Sequence, residues 1–230
     1  MAIRAVGFDL DGTLYPGWIM YAASLGAGLR HPRFYSAFGA ARRTLRKELA
    51  SRNMGKYPPD SSLGGREDLL DFQRRFLATR LGISLGEAGS LMENRCYRDV
   101  EDKFSRIRPF PGVSACLARL ESKGLALGLL SDLPPKGKVE RMGLESNFKS
   151  ILCSEDFGTL KPAARPFLAL AEALGTAPED MAYVGNKIAY DMEGAKALGM
   201  KTAYLGKSRH PSVDFSFRSW EALAEWVLSS

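Results

Sequence analysis

Cysteine is scarce in this chain, and so are histidine and long apolar runs. The three cysteines, Cys96, Cys116 and Cys153, are odd in number and widely spaced, which fits neither a disulfide framework nor a zinc site. They read as reduced, buried or incidental thiols of a cytoplasmic protein. The two histidines, His31 and His210, have no partner at metal-ligand spacing and read as surface or structural groups. No apolar run approaches the roughly 20 residues that a bilayer-spanning helix needs. The first residues, AIRAVGF, enter a strand pattern instead of a charged-then-apolar leader, so neither secretion nor membrane insertion is expected. There is no internal repeat and no low-complexity tract.

What remains is 230 residues, 45% of them hydrophobic and 25% charged, enough for one good core or for a core carrying a smaller second domain. The net charge of +6 is unevenly distributed. Residues 16–108 hold 17 Lys/Arg against 10 Asp/Glu, while the rest of the chain holds 15 against 16. The excess therefore lies in one segment, either as a solvated face or as a basic surface that attracts acidic substrates. The adjacent pairs Arg42/Arg43 and Arg74/Arg75 are the candidates for such a grip. Nucleic acid as partner is disfavoured, because no recognition motif accompanies the charge.

Strand-like runs occur at 3–8, 125–131, 150–153, 181–185 and 201–205. Helix-like stretches separate the later ones: GVSACLARLESKG, ARPFLALAEALG and AYDMEGAKALG each carry apolar residues at helical spacing and end in glycine. Strand then helix, repeated, predicts an α/β fold with a parallel sheet and helices on both faces. Residues 16–108 break the rhythm. AFGAARRTLRKELA and REDLLDFQRRFLATRLG are helical patterns with no strand between them, the second with Leu69, Phe72, Phe76 and Leu77 on one face. The stretch 53–65, rich in Pro, Gly and Ser, is expected to be a loop. An inserted helical domain over 16–108 is predicted, with the core formed by 1–15 and 109–230.

The chemistry concentrates at VGFDLDGTLYPG. Side chains two apart on an extended strand point the same way, so Asp9 and Asp11 reach one small volume at the C-terminal edge of the sheet, where open α/β folds hold ligands. Two like charges held close repel unless a cation lies between them or one is protonated. Oxygen ligands of this kind suit a hard divalent cation, with Mg²⁺ the natural candidate. Later strand ends supply Ser131, Lys161 and the pair Asn186 and Asp191 in VGNKIAYD.

These four motifs in this order resemble the haloacid dehalogenase superfamily, whose pattern runs Asp-x-Asp-Gly-Thr, Ser/Thr, Lys and Gly-Asp-x-x-x-x-Asp. The resemblance implies a Rossmann-like three-layer core and a helical cap that carries specificity. It further implies a Mg²⁺-dependent phosphatase acting on a small acidic phosphorylated substrate, as a monomer or homodimer. Asp9 would be the nucleophile and Asp11 the general acid and base; Thr13, Ser131 and Lys161 would hold the substrate's phosphoryl group and assist the turn. Asp9, Asp11, Asn186 and Asp191 would form the metal site, the last by steering water on the ion. Asn186 departs from the pattern, since relatives carry aspartate there, and a neutral amide is expected to weaken metal binding. A 2-haloacid dehalogenase, a phosphomutase and a catalytically impaired phosphate-binding protein remain as alternatives. Asp11 argues against the first, because a departing halide needs no proton.

Overall fold

The structure is a computed structural model that describes residues 2–19, 31–52, 62–98 and 107–230. Six parallel strands form its sheet: β1 (Ala5–Phe8), β2 (Ala126–Ser131), β3 (Ser150–Cys153), β4 (Met181–Gly185), β5 (Lys201–Leu205) and β6 (Phe215–Phe217). Their order is β3-β2-β1-β4-β5-β6. β1 is the centre from which the chain builds outward on both sides, and the crevice beyond its C-terminal end is the ligand position of such sheets. Five strands match the sequence reading, although β1 begins at Ala5 and not at residue 3. β6 was not anticipated, because three residues bounded by polar ones give too short a pattern.

Alternation along β1 sorts its side chains to two cores. Val6 and Phe8 join a cluster with Val113, Leu117 and Leu120 of a helix at Val113–Ser122 and with Leu223 and Val227 of the C-terminal helix. Ala5 faces the other side, with Phe167, Leu170 and Leu174 of the helix Ala164–Leu174. Gly7 shares that second face for want of space. A Cβ there would come within 2.7 Å of Leu170 and 2.9 Å of Tyr183, both fully buried. The missing side chain makes room for the Tyr183 ring, whose hydroxyl reaches the site described below.

The expected helix in AYDMEGAKALG is split. A π-helical turn at Ile188–Met192 leads into a short α-helix at Glu193–Ala197, and the wider turn brings Asp191 back toward the end of β4. The three cysteines are free and buried.

Between β1 and β2 the described residues are helical: α1 (Pro32–Arg52), α2 (Arg66–Leu81) and α3 (Leu85–Met92), the last continued by π-helical turns over Glu93–Arg98. α3 begins with a capping box in which the Ser84 side chain accepts from the Glu87 N–H and Glu87 reaches back to the Ser84 N–H. Most of the expected loop at 53–65 lies outside the described residues. On α2 the predicted face needs correction: Leu69 and Leu77 are buried, but Phe72 and Phe76 are only half-buried while Gln73 is fully buried. Leu69 packs in one cluster with Leu45, Leu49 and Leu160, and Leu77 in another with Phe34, Phe38 and Met92, so the helix serves two contacts in place of one stripe.

Leu160 belongs to the segment after β3, and this contact is reinforced by charge. Arg42 of α1 donates to Glu155, which is fully buried, and to the carbonyl of Asp132 at 2.6 Å. Tyr97 also donates to Glu155. Burial opposes the charge on Arg42, yet Glu155 and Asp132 hold its pKa above the usual value. Its neighbour Arg43 is exposed. Removing one partner of a buried ion pair strands the other in low dielectric, at a cost of about 3–5 kcal/mol. Arg42→Ala is therefore expected to lower the unfolding free energy by that amount in urea denaturation, and Arg43→Ala to leave it within about 0.5 kcal/mol of wild type.

Candidate active site

Asp9 is the first residue beyond β1, its N–H still paired to the carbonyl of Val184 at 2.9 Å. Its side chain is buried at the sheet edge. Thr13 donates to one carboxylate oxygen at 2.7 Å and Lys161 to the other at 2.6 Å. The turn between Asp9 and Thr13 depends on Gly12, which has φ +87°, and a Cβ there would lie 2.2 Å from the Asn186 amide. Glycine is required both for the left-handed backbone and for the approach of Asn186.

Lys161 is the hub. Its ammonium also donates to Asp191 at 2.7 Å and to the Tyr183 hydroxyl at 3.2 Å. Burial works against its charge, but Asp191 and Asp9 hold its pKa well above the ordinary lysine value. For Asp9 burial dominates: it pushes the carboxyl up to about 7, with Lys161 pulling down and Asp191 and Asp11 adding to the rise. The other oxygen of Asp191 accepts the N–H groups of Asn186 and Lys187 at 3.2 and 2.9 Å. Asp191 thus ties the loop after β4 to Lys161.

Asp11 occupies the opposite wall. One of its carboxylate oxygens accepts from Tyr15 and Lys138, and the other lies 3.4 Å from the hydroxyl of Ser131. Ser131, fully buried at the end of β2, also accepts the Leu133 N–H. Asn186 lies against the same turn, its amide nitrogen 3.4 Å from the carbonyl oxygen of Asp11. Its side-chain oxygen is buried and without a hydrogen-bond partner. An orphaned amide oxygen on a residue that lines one cavity with Asp9 and Asp11 suits a hard cation.

Asp9, Asp11, Lys161, Asn186 and Asp191 line one cavity of about 270 Å³, with Thr13 and Ser131 bonded to its carboxylates. Arg46 and Tyr190 also line it. Arg46 donates to the carbonyl of Lys161 at 2.8 Å and to Asp132 at 2.6 Å, and its guanidinium lies 4.3 Å from the centre of the Tyr190 ring. Asp132 accepts the Lys161 N–H in turn. Burial would raise its pKa, but Arg46, Lys161 and Arg42 hold it below the usual carboxylate value.

Sequence reasoning missed Lys138, Tyr15, Asp132 and Arg46. Two faint signals existed: Arg46 lies one helical turn beyond Arg42, and Tyr15 lies four residues after Asp11. Nothing in PPKGKVER separates Lys138 from Lys136. Of the four arginines singled out, only Arg42 reaches the cavity. Arg75 pairs with Asp71 at 2.5 Å along its own helix, and Arg74 with Glu67 at 3.7 Å.

Known proteins give this arrangement a context. A glyceraldehyde 3-phosphate phosphatase of Methanopyrus kandleri is 28% identical, over 92% of this chain and 88% of its own length. A phosphoglycolate phosphatase of Escherichia coli is 29% identical over 93% and 86%. Among solved structures, a 2-haloacid dehalogenase from Pseudomonas syringae superposes with a TM-score of 0.65 at 25% identity, covering 99% of this chain and 98% of its own. The sequence pattern of "haloacid dehalogenase-like hydrolase" matches residues 3–199, which spans both the carboxylate turn after β1 and the loop after β4. The chain belongs to the haloacid dehalogenase-like hydrolase family.

Proposed function

We propose that the protein is a Mg²⁺-dependent phosphomonoester hydrolase that acts on a small acidic substrate through an aspartyl-phosphate on Asp9. The observation that carries this reading is Asp11. A second carboxylate faces the same cavity as the nucleophile, and a leaving alkoxide needs a proton donor where a halide does not. The phosphatases among the relatives support the same choice.

The Asp9 carboxylate attacks phosphorus, a P–O bond to Asp9 forms and the ester P–O bond breaks. Asp11 in its acid form delivers a proton to the departing oxygen, then as carboxylate takes one from the water that cleaves the acyl phosphate. Tyr15 and Lys138 bond one oxygen of Asp11 and the Ser131 hydroxyl approaches the other, so the carboxyl group is held in one orientation. Lys161 and Ser131 offer donors to the phosphoryl oxygens, and Thr13 fixes the orientation of Asp9. Asp9, the carbonyl of Asp11 and the Asn186 side chain would hold Mg²⁺, which when bound supplies positive charge against the phosphoryl oxygens. Asp191, bonded to the Lys161 ammonium and to the N–H groups of Asn186 and Lys187, acts by orienting Asn186 and Lys161. Residues 16–108 serve as the cap, which meets the core through α1, through Leu69 and Arg66 of α2 and through Tyr97.

Asp9→Asn keeps nearly the same size but removes the nucleophile. Phosphate release from p-nitrophenyl phosphate is expected to fall by at least about a thousandfold while the circular dichroism spectrum stays unchanged. Wild-type protein should release no chloride from 2-chloropropionate. A folded variant with wild-type turnover would remove Asp9 from its role, and chloride release without phosphate release would make the protein a dehalogenase.

Asn186 tests the metal. Asn186→Asp points a full charge at the carbonyl of Asp11, so in EDTA the variant should melt below wild type. Coulomb attraction to a divalent cation reverses the sign, and Mg²⁺ should raise its melting temperature more than it raises that of wild type. Calorimetric titration should give a several-fold tighter Mg²⁺ affinity. An equal or weaker affinity would mean that position 186 does not face the ion.

A further inference from the structure

A second cavity, of about 410 Å³, shares Leu133 with the lining of the first. Its charged lining is Arg66, Arg98, Lys136, Lys138 and Arg141 against the single acid Glu93. Arg66 is paired with Asp156 at 3.0 Å. Arg98, Lys136 and Arg141 are exposed and make no ion pair among the described residues. Three such cations line one concavity, which Lys138, bonded to Asp11, also lines.

The position of Lys138 gives the cavity a direction. Its ammonium rests on Asp11 at 2.5 Å, while the residue also lines the second cavity. The group that protonates the departing oxygen must face the leaving alcohol and not the phosphoryl group. The alcohol portion of the substrate therefore lies on the Asp11 side of the site, next to Lys138, and its extension runs into the cationic cavity. We propose that this cavity is the subsite for the leaving alcohol and that this alcohol carries a second phosphate. The substrate class is then a bisphosphate, larger and more highly charged than a two- or three-carbon monophosphate. A second phosphate dianion matches three unpaired cations in charge, and its oxygens accept from guanidinium and ammonium donors. This rests on the phosphatase reading above.

The test compares straight-chain alkanediol bisphosphates of three to six carbons with the matching alkyl monophosphates, in wild type and in the double variant Lys136→Ala/Arg141→Ala. Phosphate release gives kcat/KM for each. At low salt the wild type should prefer the best bisphosphate over its monophosphate by about tenfold or more. The double variant should lose about tenfold in that ratio, mostly through KM, as expected for two solvent-accessible charge contacts. Equal kcat/KM for both substrate types, or a preference that survives the double substitution, overturns the proposal. So does inorganic phosphate altering monophosphate turnover noncompetitively in wild type but not in the variant, since the cavity would then hold a free anion. If no substrate is hydrolysed, the phosphatase reading fails by itself. Calorimetric binding then decides the subsite: tighter binding of the bisphosphate, lost in the double variant, supports it, and equal binding overturns it.

Discussion

The ammonium of Lys161, held between Asp9 and Asp191, is the constraint on which the rest of the site depends. All three groups are buried, and an isolated ion at such depth costs several kcal/mol. Each charge is tolerable only because the others are there, so three segments distant in sequence must arrive together. β1 delivers Asp9, the loop after β3 delivers Lys161, and the π-helical turn after β4 delivers Asp191. Tyr183 joins them through its hydroxyl, and its ring fits because Gly7 on the adjacent strand has no side chain. A glycine in a central strand weakens the strand locally; here it permits the packing of Tyr183 that holds Lys161 against Asp9.

The same logic extends to the inserted helices. Asp132 follows directly on Ser131, accepts the backbone N–H of Lys161, and is held by Arg46, while Arg42 binds its carbonyl and Glu155. One face of α1 thus closes a chain of buried charge that begins at Asp9. Arg42 and Arg46, four residues apart, lie one above the other on that face. The position of α1 and the geometry of Lys161 are coupled: moving the helix would strip Asp132 of its guanidinium and disturb the loop that orients the lysine. A basic inserted segment is therefore only partly a surface for substrate, because Arg42 and Arg46 are engaged in holding the helix to the core.

The core was legible in the sequence for a physical reason. Buried parallel strands read as continuous apolar runs and their polar groups gather at the strand ends, so AVGF followed by two aspartates and LGLLS followed by a loop announce where those groups meet. The residues that escaped notice are those whose placement is tertiary. Lys138 and Lys136 stand two apart on a helix of six residues, and only the packing of Val139 decides that the first turns inward to Asp11 and the second outward. Phe72 and Phe76 failed for the related reason that α2 packs against two clusters, and no single apolar stripe describes it. The split helix at Ile188–Met192 could not be read either, because periodicity does not distinguish a π-helical turn from an α-helical one.

Lys138 also changes the electrostatic reading of Asn186. From sequence, the amide leaves the site one negative charge short of the family pattern, with metal affinity as the apparent loss. The structure adds a buried cation in contact with Asp11, so that wall of the cavity is less negative still. The amide and the lysine act in one direction: they weaken the attraction for a cation and lessen the repulsion of a dianion. On the proposed phosphatase reading, a site that admits a charged ester benefits from that exchange, provided the neutral amide still offers its oxygen. The unpartnered oxygen of Asn186, buried where hydrogen-bond partners are the rule, is the group through which that balance would be struck.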